Sequence, residues 1–184
     1  MLRVNPNRMR VDDTMLAAAE RLHTVLRVAE ERIAVAESCT GGLVGAAITA
    51  PSGASDVFEM GIVSYSNAAK HNLLDVPQIT LARTGAVSGP TARAMAAGVR
   101  ARAGTTWGLS ITGIAGPSGG RPGKPVGTVY IGVATVIDGE TRSRAQRFRF
   151  DGDRGSIRQQ TTRSALERLT HVIEAGHDST SLVL

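Results

Sequence analysis

The sequence predicts an α/β fold: a layered α/β/α domain with a mixed β-sheet flanked by helices. Three observations carry this. Short apolar runs alternate with segments of helical spacing early in the chain, the pattern of strands joined by crossover helices. Two later strand-like stretches flank Asp138-Gly139, a strong hairpin signal that adds antiparallel strands to the sheet. At 184 residues and 42% apolar content, the chain is one domain with enough apolar material for a packed core.

Residues 1–12 are basic and polar and are expected to form a flexible arm ahead of a domain spanning 13–175. From Asp13, the set Met15, Leu16, Ala19, Leu22, Leu26 and Ala29 keeps helical spacing, with Asp12 or Asp13 as cap. Residues 33–50, IAVAESCTGGLVGAAITA, begin as an apolar run, bend at a polar and glycine-containing turn, and continue as small helix formers. That order reads as strand, tight turn, helix, broken by Pro51-Ser52-Gly53. Residues 61–66 are a predicted strand and 67–74 a short helix carrying Lys70. A turn at Val76-Pro77 leads to a helical piece over 78–83. Ser88, followed by Pro90, opens a helix that ends near Gly104, with proline early and glycine late. Residues 107–112 are a third strand, and 113–127 form a loop too long for a mere connection. Strands over 128–137 and 141–150 follow, then a helix over 156–174 and a loose tail over 176–184.

Composition narrows the function. No apolar run approaches the roughly 20 residues of a membrane span, and no apolar stretch follows the basic start as in a signal peptide. With one cysteine there is no internal disulfide, and a cytoplasmic protein is expected. The net charge of +5 raises nucleic acid as a partner, but aromatics are only 3% of residues, leaving few stacking platforms. A small anionic ligand fits better. No G-x-x-x-x-G-K-[ST] sequence argues for a phosphate-handling loop, and no clustered His, Cys or carboxylate pattern argues for a metal. No cofactor is expected.

The strand–turn–helix junction at 37–43 can present Ser38 as a nucleophile, with the N–H groups of Thr40, Gly41 and Gly42 aimed at an oxyanion. Its other reading is a plain helix cap. Cys39 is a rival nucleophile without an assignable partner, and Glu37 either orients a base or caps the helix. His23, His71 and His177 lie within or at the ends of predicted helices and are read as surface residues, so Ser38 lacks a histidine partner. Lysine is the remaining base. The chain has only two, Lys70 and Lys124, and Lys70 lies just after a strand. A base lysine must be neutral, which burial or a nearby cation favours.

Six segments together resemble the CinA C-terminal domain family: AESCTGG at 36–42, GIVSYSNAAK at 61–70, GAVS at 85–88, SITGIAGPSGG at 110–120, KPVGTVY at 124–130 and FDGDR at 150–154. The resemblance covers roughly 13–174. It implies a nicotinamide-nucleotide amidase that converts nicotinamide mononucleotide to the nicotinate form, with Ser38 as nucleophile, Lys70 as general base and Tyr65 beside them. It also implies a substrate site at Thr112, Gly113, Ala115, Gly116 and Arg154. Arg158, one helical turn beyond Arg154, is a second choice for the substrate's phosphate. Longer members carry an additional N-terminal domain, for which this chain has no room, so it looks like the stand-alone form. The family often has Asn-Glu-Ala-Lys where this chain has Asn67-Ala68-Ala69-Lys70, which removes a carboxylate near the base. A homo-oligomer is expected. The alternative function is a nucleotide-binding or competence-associated module without turnover.

Overall fold

The computed structural model describes residues 10–176. The arm over residues 1–9, most of the expected tail and His177 lie outside the described residues. Helix α1 (Asp13–Val28) starts on Asp12, whose carboxylate accepts the Met15 N–H at 2.9 Å. Met15, Ala19, Leu22 and Leu26 form its buried stripe. Strand β1 (Ile33–Glu37) is buried on both faces, as an interior parallel strand requires. Ile33 and Val35 face one core, shared with α1, helix α2 (Leu43–Ile48) and the last helix, α6 (Arg154–Gly176). Ala34 and Ala36 face a second core under α3 (Asn67–Leu74), α4 (Gln78–Thr84) and α5 (Gly89–Ala103). The two cores make the molecule three-layered.

The sheet order is β2-β1-β3-β4-β5. Strands β2 (Phe58–Val63), β1 and β3 (Trp107–Gly113) are parallel, while β4 (Thr128–Ile137) and β5 (Glu140–Arg149) run antiparallel. The mixed sheet and its flanking helices are those the sequence predicts. Asp138 (φ 52°) and Gly139 (φ 78°) make the β4–β5 turn with both central residues left-handed, as a two-residue hairpin demands. Strand β2 departs from expectation. It spans 58–63 rather than 61–66, because Phe58 pairs with Ile33 at the start of β1 and pairing ends at Val63. Ser64 keeps one backbone bond to β1, its N–H donating to the Glu37 carbonyl at 2.8 Å, and Tyr65 lies beyond the paired strand.

Helix α5 lies unusually close to its neighbours, and small residues permit it. Ser110 donates to the Ala92 carbonyl at 2.6 Å, and a Cβ at Gly132 would come within 2.6 Å of the same oxygen. A Cβ at Gly98 would overlap the Leu74 carbonyl at the end of α3. Backbone cannot move aside as a flexible side chain can. Gly98→Ala is expected to destabilise the protein by about 3 kcal/mol, lowering Tm by roughly 6–12 °C. A thermal unfolding midpoint matching wild type would refute the close approach.

Candidate active site

The parallel register places three strand ends together. Glu37 of β1 lies opposite Val63 of β2 and Ile111 of β3. Ser38, Ser64-Tyr65 and Thr112-Gly113 thus lie side by side at the carboxyl edge of the parallel strands, where open α/β sheets gather ligands.

Ser38 is not a helix cap. The cap residue of α2 is Gly42 (φ 94°), which has no side chain to serve. Glu37 does that work from upstream. Its buried carboxylate accepts the N–H groups of Gly42 (2.9 Å), Val44 (3.2 Å) and Gly45 (2.8 Å). Those are the first-turn donors of α2, at the positive end of the helix dipole. Of the two roles left open for Glu37, the structure shows capping, and no hydrogen bond or ion pair joins it to Lys70 among the described residues. The expected oxyanion donors change accordingly. The Gly42 N–H is spent on Glu37, and the Gly41 N–H donates to the Ser38 carbonyl at 3.1 Å.

Lys70 is completely buried, not a solvated helix lysine. Ser66 caps α3 by accepting the Ala69 N–H, and the first turn then directs Lys70 inward. Its Nζ lies 3.1 Å from Ser38 Oγ, 2.7 Å from the Ser64 carbonyl and 3.3 Å from the Tyr65 carbonyl. No carboxylate pairs with it among the described residues. Burial pushes its amine down to about 8. A neutral amine has two N–H groups and one lone pair. Two N–H groups match the two carbonyls, and the lone pair then faces the Ser38 hydroxyl. Burial acts oppositely on Cys39, pushing its thiol up to about 12, so it is neutral at physiological pH and a poor nucleophile.

The sequence-predicted histidines do not contribute. His23 is buried rather than surface-exposed: it packs between α1 and α2, its Nε2 2.8 Å from the Ile48 carbonyl. His71 is half-buried, with Nδ1 3.0 Å from the Val76 carbonyl.

A cavity of about 340 Å³ opens over the Ser38–Lys70 pair. Ser38, Tyr65, Lys70, Thr112, Gly113, Ala115, Gly116 and Arg154 all line it. Thr40, Gly41, Gly42 and Arg158 do not. Tyr65 is 62% exposed, and its hydroxyl accepts from Arg154 Nη2 at 3.3 Å rather than meeting Ser38 or Lys70. The other arm of Arg154 donates to the Gly116 carbonyl at 3.0 Å, so this arginine bridges two walls. Arg158 is fastened behind the turn, its Nε and Nη2 both donating to the Thr40 carbonyl, and is not presented to the cavity. The sequence reading did not place Ala86 or Val87 in the site, although both line the cavity and fall in a motif already singled out; Ser118 and Gly119, in the glycine-rich loop after β3, line it too. A larger groove of about 440 Å³ between α3 and α4, lined by Asn67, His71 and Gln78 among others, contains no nucleophile–base pair. Among the described residues no three His, Cys, Asp or Glu side chains come together as a metal site, and no helix is long and apolar enough to cross a membrane.

Comparison with known proteins agrees with this architecture. The model of the CinA C-terminal domain matches residues 15–173. A CinA-like protein from Anaeromyxobacter dehalogenans is 53% identical over 139 residues, 76% of this chain and 33% of the relative. One from Parasynechococcus marenigrum is 47% identical over 158 residues, 86% of this chain and 36% of the relative. The chain thus spans about a third of the length of these curated relatives. Among solved structures, a competence damage-inducible protein A from Klebsiella pneumoniae superposes with a TM-score of 0.81 at 32% identity, covering 87% of this chain and 97% of that one. A competence/damage inducible protein from Agrobacterium tumefaciens gives 0.80 at 38% identity, with coverage of 87% and 96%. The chain belongs to the CinA C-terminal domain family.

Proposed function

We propose that this protein is an amidohydrolase that converts nicotinamide mononucleotide to nicotinate mononucleotide and ammonia through a Ser38–Lys70 pair. The observation that carries the reading is the buried Lys70 amine, 3.1 Å from Ser38 Oγ, free of any carboxylate partner among the described residues and shifted down to about 8. A buried amine of this kind is a base, whereas arginine could never be one.

In the proposed reaction, neutral Lys70 takes the Ser38 proton as Oγ bonds to the carboxamide carbon. The carbonyl electron pair moves onto oxygen. With Gly41 and Gly42 occupied, this reading gives the oxyanion to the N–H of Cys39, which lines the cavity beside Ser38 and has no acceptor in another residue among the described residues. One such donor contributes about 3 kcal/mol. Collapse breaks the C–N bond, and the Lys70 ammonium returns its proton to the departing nitrogen, releasing ammonia. Water, deprotonated by Lys70, then hydrolyses the Ser38 acyl ester to the carboxylate. Arg154 and the glycine-rich Gly113–Gly116 wall are the proposed donors to the substrate's phosphate. In this reading Tyr65 positions Arg154 through its hydroxyl rather than relaying a proton at Ser38. The reaction needs no metal or cofactor. The reading also takes the protein to act in the cytoplasm, as a homo-oligomer, on a free nucleotide rather than on nucleic acid.

The test is ammonia release from nicotinamide mononucleotide by chelator-treated protein, beside Ser38→Ala. Release that survives chelation and vanishes in the variant supports the reading. A folded, nucleotide-binding wild type without turnover hands the case to a binding module. Persistence in Ser38→Ala removes the serine mechanism.

The base also sets the pH dependence. Lys70 must be unprotonated to act, so kcat/KM is expected to rise with pH to a plateau above about 8. Below pH 7 it falls about tenfold per unit. A flat profile between pH 6 and 9 would contradict a lysine base.

A further inference from the structure

We propose that Lys124 is a positioning residue that holds the Ala86–Val87 segment as a wall of the cavity and so sets how tightly substrate binds. Lys124 lies far from Ser38 in sequence, in the long β3–β4 loop, and does not itself line the cavity. Its Nζ crosses to the α4–α5 connection and donates to the Thr84 carbonyl at 3.0 Å and the Val87 carbonyl at 2.6 Å. The two carbonyls between are also taken. Gly85 accepts from Ser88 Oγ at 3.0 Å and Thr91 Oγ1 at 2.8 Å, and Ala86 accepts from Thr112 Oγ1 at 2.8 Å. Four consecutive carbonyls are thereby fixed by side chains outside the segment, with Lys124 holding the first and last.

The loop is built to deliver this amine. Arg121 and Lys124 exchange backbone hydrogen bonds at 3.0 and 2.9 Å around Pro122-Gly123, with Gly123 at φ 78°. Proline then glycine at the centre is the sequence of a type II turn, which fixes the base of the Lys124 side chain. Arg147 donates to the Gly123 carbonyl at 2.7 Å and ties the turn to β5. Lys124 has no acidic partner among the described residues, so its hydrogen bonds are spent on carbonyls. In a chain whose one other lysine is Lys70 and whose remaining basic side chains of this kind are arginines, a lysine here has a geometric reason. A compact tetrahedral ammonium can converge on two carbonyls of one tight segment, whereas a planar guanidinium directs its donors outward in a fixed fork.

The kinetic part of this proposal rests on the amidase reading; a ligand-free measurement tests it separately. Lys124→Met and Lys124→Gln would be compared with wild type for nicotinamide mononucleotide hydrolysis and, without ligand, for amide hydrogen exchange over residues 84–88. Lys124→Met is expected to raise KM about tenfold with kcat within about threefold, and to leave the pH midpoint unchanged. Exchange over 84–88 should quicken about tenfold while β1 and β3 keep their protection. The glutamine amide retains N–H donors and should fall between wild type and methionine. Wild-type KM in both variants, or a loss confined to kcat, would overturn the proposal. If Lys124→Met fails to fold, Lys124→Gln decides, and a wild-type KM there overturns it. An inactive wild type sinks the amidase reading alone; unchanged exchange over 84–88 in the variants would then overturn the role of Lys124.

Discussion

Lys70→Ala is expected to lower ammonia release by roughly 10³- to 10⁶-fold while nucleotide binding changes little, because on the amidase reading the proton acceptor for Ser38 is lost while the proposed phosphate donors, Arg154 and the Gly113–Gly116 wall, remain. Lys70→Arg sharpens the test. Its guanidinium keeps a positive charge and donors for the Ser64 and Tyr65 carbonyls, yet it cannot be unprotonated. If Lys70 merely anchors those carbonyls, arginine should restore much of the activity. If it is the base, arginine should be as inactive as alanine. Single-turnover rates on protein shown to be folded separate these outcomes.

Glu37→Ala should have the largest effect on stability. It strands three N–H groups of α2 in a buried setting and leaves a void where the carboxylate met the start of that helix. Charge-assisted hydrogen bonds of this kind contribute about 1.5–3 kcal/mol each, and they share one carboxylate, so a loss of about 4 kcal/mol is expected. For a chain of this length that corresponds to roughly 8–16 °C in Tm. Ser38 leaves the sheet at the residue after Glu37, so kcat should fall with it. An unfolding midpoint within about 2 °C of wild type would show that the carboxylate is not the cap.

Much of the site was legible because its parts are local. Ser38 follows an apolar run and precedes glycines, and a strand end followed by a helix start is a short-range pattern. The choice of Lys70 rested on elimination, since the chain has few lysines and no histidine at a strand end. Other features were not legible. On its own segment Ser38 reads more readily as a helix cap than as a nucleophile, and the decision came from a glutamate that reaches five to eight residues forward. His23 looked solvent-facing within its helix and is buried, because α2 covers that side of α1. Strand β2 began earlier than its own pattern suggested, because its bounds follow pairing with β1, which no local window contains.

The sequence alone determined the layered fold, the hairpin at Asp138-Gly139, the strand-turn-helix carrying Ser38 and the family. Periodicity, turn chemistry and motif order are properties of neighbouring residues. The tertiary structure decided which groups are free to react. It brought Lys70 and Ser38 to 3.1 Å across a gap of 32 residues, and its burial lowered the amine's basicity. It also assigned the Gly42 N–H to Glu37, Arg158 to the Thr40 carbonyl and the Lys124 amine to the Thr84 and Val87 carbonyls. Hydrogen-bond partners and desolvation depend on what is close in space, and the same residue types at the same spacing carry no record of either.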